Sequence, residues 1–484
     1  MKESRFRRPL EVALDCALSY LDGLDHMPVA SQIDLAAARR RLAKPLTDGG
    51  VSPEVVVADL ARDVEGAIIG SAGARFFGWV IGGSLPAALA ADWLTSTWDQ
   101  NAALYACGPA AAIAEEVAGG WLKELLGLPV GASFALVTGT QMAHFTCMAA
   151  ARHALLKSRG WDVETQGLYE APRIRVLCND QRHDSVERAV RCLGLGQSQI
   201  VTLRTDATNR VIPSALEDAL SDGNSSPAIV VLQAGDICTG AFDDFQNLIP
   251  LAKRHDAWVH VDGAFGLWAA ASPEYRHLLR GIERADSWTA DGHKWLNVPF
   301  DCGYAFVADA KAHRSAMALS HRAAYLTHDE QARDQFDWNP EWSRRARGFP
   351  TYAAIRQLGR RGIADLIERC CEHTKTLVSR VGGLPGAEVL CSPVLNQALL
   401  RFVDSDDDAS EQDRDRGTDE VIAAVAATGE AFFTGTTWRG RRAMRVSICN
   451  WSTSAEDIDR ALKAFADVLD QRHNCTRKIR DVPL

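Results

Sequence analysis

The feature that most constrains this chain is a change of rhythm near residue 115. From there, short apolar stretches suited to strands alternate with amphipathic stretches suited to helices. Strands are predicted at 134–137, 173–178, 199–203, 228–233, 258–261 and 304–307. Helices are predicted at 115–126, 142–158, 185–193, 213–220 and 245–255. Strands that are apolar on both faces and joined through helices do not pair as hairpins. They build a largely parallel sheet covered on both sides, an α/β architecture.

The flanks read differently. The first hundred residues are mainly helical, at 10–24, 34–42 and 53–69. A glycine-rich stretch from Phe76 to Gly83 then leads into an alanine-rich helix from Pro86. Beyond residue 350, a long helix at 351–381 ends at Gly382-Gly383, and a strand follows at 398–403. The acidic run from Asp404 to Glu420 reads as a solvated loop. A strand at 444–448 and a helix at 455–469 close the chain. The expected division is an N-terminal helical segment at 1–105, a large α/β domain at 106–350 and a smaller C-terminal α+β domain at 351–484. That agrees with a length of 484 residues at roughly 150 residues per domain.

Composition removes several functional classes. Lys plus Arg number 53 against 62 Asp plus Glu, a net charge of −9, which suits neither nucleic acid nor an anionic membrane. The longest stretch without a charged side chain, 125–151, is broken by Gly127, Pro129, Gly131, Gly139, Gln141 and His144 and does not read as a membrane span. Twelve cysteines are scattered among apolar neighbours with no CxxC pair. They read as small buried hydrophobes in a reducing compartment, so a cytoplasmic protein is expected. The histidines lack metal-ligand spacing, and no metal is expected. Phosphate-loop, HExxH and GxSxG patterns are absent, and Gly194-Leu195-Gly196 lacks the third glycine of a dinucleotide turn.

Four segments carry candidate chemistry. Lys294, in Ala290-Asp291-Gly292-His293-Lys294-Trp295-Leu296, sits in a turn with apolar neighbours. By itself it reads first as a surface lysine, and second as an amine withdrawn from water that forms a Schiff base. Asp262 ends the strand Trp258-Val259-His260-Val261, where an acid faces the ligand crevice of a parallel sheet or simply caps a turn. Val137-Thr138-Gly139-Thr140-Gln141 is a strand-to-helix turn offering a hydroxyl and a helix N-terminus to a phosphate. His183, in Asn179-Asp180-Gln181-Arg182-His183, follows a strand and can lie on a heteroaromatic ring or in solvent.

Together these segments supply a phosphate cradle, a stacking group, a ring-nitrogen partner and an amine. Their order resembles the group II pyridoxal-phosphate-dependent amino-acid decarboxylases, which include the aromatic-L-amino-acid and glutamate decarboxylases. The run His293-Lys294-Trp295-Leu296-Asn297-Val298-Pro299-Phe300-Asp301-Cys302-Gly303 carries the most specific part. Val261-Asp262-Gly263-Ala264 and Ala234-Gly235-Asp236-Ile237-Cys238-Thr239-Gly240-Ala241-Phe242-Asp243 are similar to two further family segments. The resemblance implies the aminotransferase-like type I fold and pyridoxal 5′-phosphate as cofactor. It implies an amino-acid substrate and a homodimer with active sites at the subunit interface. By position, Lys294 would hold the cofactor as a Schiff base, Asp262 would pair with the pyridine nitrogen, and His183 would stack on the ring. Thr140 and Gln141 would meet the phosphate, helped by Asp291 or His293, and Ala264 would pack below the ring.

Three departures bear on activity. Gln141 replaces a hydroxyl residue in the phosphate turn, and Asp236 stands where the family commonly has Thr. The loop that often carries a proton-donating Tyr has Phe336 at the nearest position. The expected reaction is decarboxylation of an L-amino acid to the amine and CO2. Phe336 favours a second outcome, aldehyde-forming oxidative deamination or transamination. The altered phosphate turn favours a third, a weakly active cofactor-binding scaffold. Phe76, Phe77, Trp79 and Trp98 read either as an aromatic substrate wall or as core, and Arg445 either as a carboxylate anchor or as part of a salt bridge.

Overall fold

The structure is a computed structural model describing residues 4–222, 226–319, 332–403 and 410–480, with side chains to 474. Seven strands form the central sheet: β1 Ser133–Val137, β2 Arg175–Asn179, β3 Ile200–Leu203, β4 Ala228–Gln233, β5 Trp258–Asp262, β6 Ser287–Asp291 and β7 Gly303–Val307. They lie in the order β1-β7-β6-β5-β4-β2-β3, and only β7 runs against its neighbours. Val176, Leu177, Ile229, Val230, Leu232, Val259 and Val261 are buried on both faces. Each fully buried aliphatic side chain contributes about 1.5–3 kcal/mol, which makes this sheet the rigid base of the molecule.

Four antiparallel strands form a second sheet near the C-terminus: β8 Ala387–Val394, β9 Gln397–Phe402, β10 Thr434–Trp438 and β11 Arg441–Ser447. The α/β class with a mostly parallel large sheet and a smaller C-terminal α+β part is therefore as expected. Several local expectations need correction. The acidic run is not a loop beyond its start: Glu411–Ala427 is a helix opened by a capping box between Ser410 and Asp413, while 404–409 lie outside the described residues. The helix Pro53–Asp63 is shorter than its apolar pattern suggested. β6, with polar Ser287, Thr289 and Asp291 in alternation, had not been expected as a strand. The long helix Gly348–Gly382 bends at Gly359, whose φ of 60° suits glycine.

The glycine-rich stretch at 76–83 threads between the two sheets. Phe76 stacks on Phe432 at 4.9 Å, the Phe77 N–H donates to the carbonyl of Phe432, and the Gly82 N–H donates to the carbonyl of His293. A Cβ at Gly82 would collide with the Lys294 carbonyl, so only glycine allows this close approach. Among the described residues no helix is long and apolar enough to cross a membrane, and no group of side chains has metal-site geometry.

Candidate active site

The carboxyl ends of β1, β4, β5 and β6 open into one cavity of about 540 Å³. Open α/β sheets place ligands at these strand ends. A larger groove of about 790 Å³ lies elsewhere, around Arg276, Arg280 and Arg360, and contains none of the residues singled out above. All eight of those residues line the strand-end cavity: Thr140, Gln141, His183, Asp262, Ala264, Asp291, His293 and Lys294.

Lys294 is placed by the loop that follows β6. Its Nζ lies 3.1 Å from Asp291 Oδ2 and 6.0 Å from the Phe265 ring centre. The loop is clamped by Asn297, a buried residue with φ 52°, a left-handed conformation that Asn tolerates. The Asn297 amide donates to the carbonyls of Lys294, Trp295 and Cys449, and its oxygen accepts from the Trp451 N–H at 2.9 Å. The C-terminal part of the chain thereby fixes the lysine loop.

Asp291 joins two pieces of the site. Its Oδ1 accepts from the Thr140 N–H at 2.8 Å, and its Oδ2 faces Lys294 and, at 3.7 Å, His293. Burial alone would raise this carboxyl, but the Lys294 charge, then His293 and the Thr140 bond, hold it below its ordinary value. The first N–H of the helix Thr140–Lys157 is thus already taken. The Thr140 hydroxyl beside it is buried without a hydrogen-bond partner among the described residues.

Asp262 ends β5 across the cavity. Burial pushes its pKa up, yet His144, His183 and Lys294 around it bring it below the usual carboxylate range. His183 caps the helix Asp184–Cys192, its Nδ1 accepting from the Ser185 N–H at 3.2 Å. Desolvation lowers its pKa, and the ring faces the cavity as a neutral group at pH 7.

A phosphorylated heteroaromatic aldehyde fits this set. An unpartnered hydroxyl and a helix N-terminus stand at one end, an ionised carboxylate and a neutral imidazole at the other, and an amine on the floor. The negative Asp291 faces Lys294 and Thr140, so its place is that of an anchor and not of a phosphate ligand.

Several other expectations move. Phe76 and Phe77 are core residues, and Trp98 packs edge-on against Phe349 outside the cavity. Trp79, 49% exposed, is the one of those four aromatics in the cavity wall. Arg445 does not line it and donates to Gln397 at 3.5 Å. Asp236 also points away and holds its own turn, accepting from the N–H groups of Cys238 and Thr239. Phe336 is buried with Ala103 and Leu104 and tilted against Trp342 at 4.5 Å, apart from the cavity. The neighbouring segment 320–331, with Tyr325, lies outside the described residues.

Three cavity or near-cavity residues went unread in the sequence. Arg188 stands one turn beyond Asp184 on the helix that His183 caps, and that spacing was the available signal. Phe300, 61% exposed, stacks on His293 at 4.2 Å. His144 follows Thr140 by four residues on the same helix face and meets Asp262 from behind.

The chain is similar to known proteins along most of its length. Residues 44–398 match the pyridoxal-dependent decarboxylase conserved domain. The chain is 26% identical to the aromatic-L-amino-acid decarboxylase of Bacillus atrophaeus over 471 residues, covering 96% of each protein. It is 27% identical to tryptophan decarboxylase 1 of Oryza sativa subsp. japonica, covering 91% of this chain and 89% of that one. Among solved structures it is similar to Oryza sativa TDC with PLP and tryptamine, with a TM-score of 0.89, 24% identity and coverage of 96% and 98%. It is also similar to Rhodiola rosea 4-hydroxyphenylacetaldehyde synthase, with a TM-score of 0.86, 21% identity and coverage of 97% and 99%.

Proposed function

Because this chain belongs to the pyridoxal-dependent decarboxylase family and is a pyridoxal-phosphate-dependent amino-acid decarboxylase, we propose that Lys294 carries the cofactor and that the products are the amine and CO2. The observation that carries this reading is the shared cavity: Lys294 Nζ on Asp291 at 3.1 Å, opposite the ionised Asp262. When bound, the cofactor supplies an aldehyde for the amine and an electron-poor ring that accepts the pair released with CO2.

The chain's own residues do the rest. Asp291 holds Nζ on the cavity floor. Asp262 keeps a negative charge at the position of the ring nitrogen, which favours the protonated ring. His183 offers a flat, neutral face. The Thr140 hydroxyl and the Gln141 side chain stand at the phosphate end, and Ala264 leaves room below the ring. Trp79, Ile81 and Phe300 form an apolar wall suited to an aromatic substrate side chain, in keeping with the names of the relatives. Orientation of the substrate within this wall decides which bond at its α-carbon is broken.

A homodimer is part of the proposal. Leu10, Leu14 and Leu18 form a stripe on the helix Arg7–Gly23, exposed by 54%, 43% and 48%. Val56 and Leu60 are exposed on the neighbouring helix Pro53–Asp63. A second copy covers these faces, and sedimentation velocity tests it. A cytoplasmic location is proposed from the cysteine usage.

The aldehyde-forming reading rested on Phe336, which lies apart from the cavity, so amine formation is preferred. Borohydride treatment of the yellow protein should fix the cofactor onto one peptide, containing Lys294. Attachment elsewhere, or full turnover by Lys294→Ala, overturns the assignment. CO2 release measured across the twenty amino acids identifies the substrate.

A further inference from the structure

Asp262 is backed by a file of buried side chains drawn from three elements. His144, from the helix Thr140–Lys157, brings Nε2 to 3.5 Å from Asp262 Oδ2. Its Nδ1 lies 2.8 Å from His260 Nε2. His260 Nδ1 lies 2.8 Å from Ser287 Oγ, and Ser287 Oγ accepts from Trp258 Nε1 at 2.9 Å. His144, His260 and Ser287 are each 0% exposed. Among the described residues His144 Nε2 lacks a hydrogen-bond partner of full geometry, and the Asp262 oxygen is the acid it faces.

A carboxylate can only accept and an indole N–H can only donate, so the His144 Nε2 proton faces Asp262 at one end of the file and Trp258 donates into Ser287 at the other. Desolvation pushes His260 well below the ordinary imidazole pKa. The two inner contacts each hold one proton, whose side is set by the tautomers. Hydrogen bonds linked in such a chain reinforce one another in a low-dielectric interior.

We propose that His144, supported by His260 and Ser287, is a positioning residue that keeps the Asp262 carboxylate ionised and aimed at the ring nitrogen of the bound cofactor. This rests on the reading of Asp262 given above. From the cavity side Asp262 is faced by His183 and Lys294, both of which line the cavity. From its own loop it is met by the Ala264 N–H at 3.2 Å. The file behind it supplies a donor that does not change as substrate enters.

The test uses the full chain stripped of cofactor and titrated with pyridoxal 5′-phosphate across pH, followed by the absorbance of the bound form. His144→Leu removes the donor, His144→Gln returns an N–H near the Nε2 position, and Ser287→Ala cuts the file where it touches neither Asp262 nor the cavity. Loss of the imidazole that faces the charged Asp262 at 3.5 Å should weaken binding in His144→Leu roughly tenfold. The pH below which affinity declines should also move upward, since Asp262 then protonates more easily. His144→Gln should recover part of both effects, and Ser287→Ala should show the same upward shift in smaller measure. Wild-type affinity with an unmoved acid limb in His144→Leu overturns the proposal. So does a loss that glutamine does not relieve and Ser287→Ala does not share, because that pattern marks a packing defect. If His144→Leu does not fold, the same readouts on the other two variants decide. Failure of the wild-type chain to bind the cofactor would instead overturn the reading of the site itself.

Discussion

Lys294 Nζ and Asp291 Oδ2 stand 3.1 Å apart on the floor of the cavity, and the other oxygen of Asp291 caps the helix that starts at Thr140. One carboxylate thus ties the amine to the phosphate end of the site. Asp291→Asn keeps the cap acceptor and removes the charge. Because the folded pKa of Asp291 is depressed, its contribution to stability is complete above its unfolded pKa of ~3.9 and is lost as pH falls through the folded value. The difference between wild type and Asp291→Asn in urea midpoint should therefore be constant near neutrality and shrink below about pH 4. A difference that does not change with pH would show that the carboxyl has the same pKa folded and unfolded, so that Lys294 does not hold it ionised.

Asp262→Asn preserves shape and removes the charge proposed to face the ring nitrogen. At saturating cofactor, turnover should fall on the order of 10³-fold, about 4 kcal/mol of barrier. Steady-state CO2 release measures it. Turnover within a factor of about three of wild type, less than 1 kcal/mol, would reduce Asp262 to a structural residue.

Phe336→Tyr should leave the ratio of amine to aldehyde and the peroxide yield unchanged, because the ring is buried against Ala103, Leu104 and Trp342 and not in the cavity. The same product analysis on Tyr325→Phe tests the one phenol between Tyr304 and Tyr352. A change of product in Phe336→Tyr would show that this segment reaches the reacting atoms.

Arg344 and Glu115 form a fully buried pair at 2.7 Å, and Arg344 also donates to the carbonyls of Ala102 and Leu136, tethering β1. Arg344→Met takes from Glu115 its hydrogen-bonded partner, leaving it the charge of Arg333, and should destabilise the fold by about 3 kcal/mol. Arg344→Met combined with Glu115→Leu should recover much of this in urea denaturation. No recovery in the double variant would mean that the tether to β1, and not the charge pair, dominates.

The sequence by itself determined the α/β class, because strand and helix periods are local and survive any packing. It also pointed to the residues proposed for chemistry, because Asp262 closes an apolar strand and Lys294 sits in a turn with apolar and aromatic neighbours. β6 was illegible: a strand of Ser, Trp, Thr, Ala and Asp has no apolar run, and only burial between β5 and β7 makes it one. The helix Glu411–Ala427 was hidden by its charge, which forms ion pairs with Arg401 and Arg442 from the second sheet. Tertiary structure alone separated Trp79 from Phe76 and Phe77: Trp79 contacts Phe76 at 5.8 Å yet stays half-exposed in the cavity wall, while the two phenylalanines are buried. It alone joined His144 to His260, which are 116 residues apart. Periodicity places each on a face of its own element, but the meeting of two faces is set by how the helix docks on the sheet, a long-range contact that no local pattern encodes.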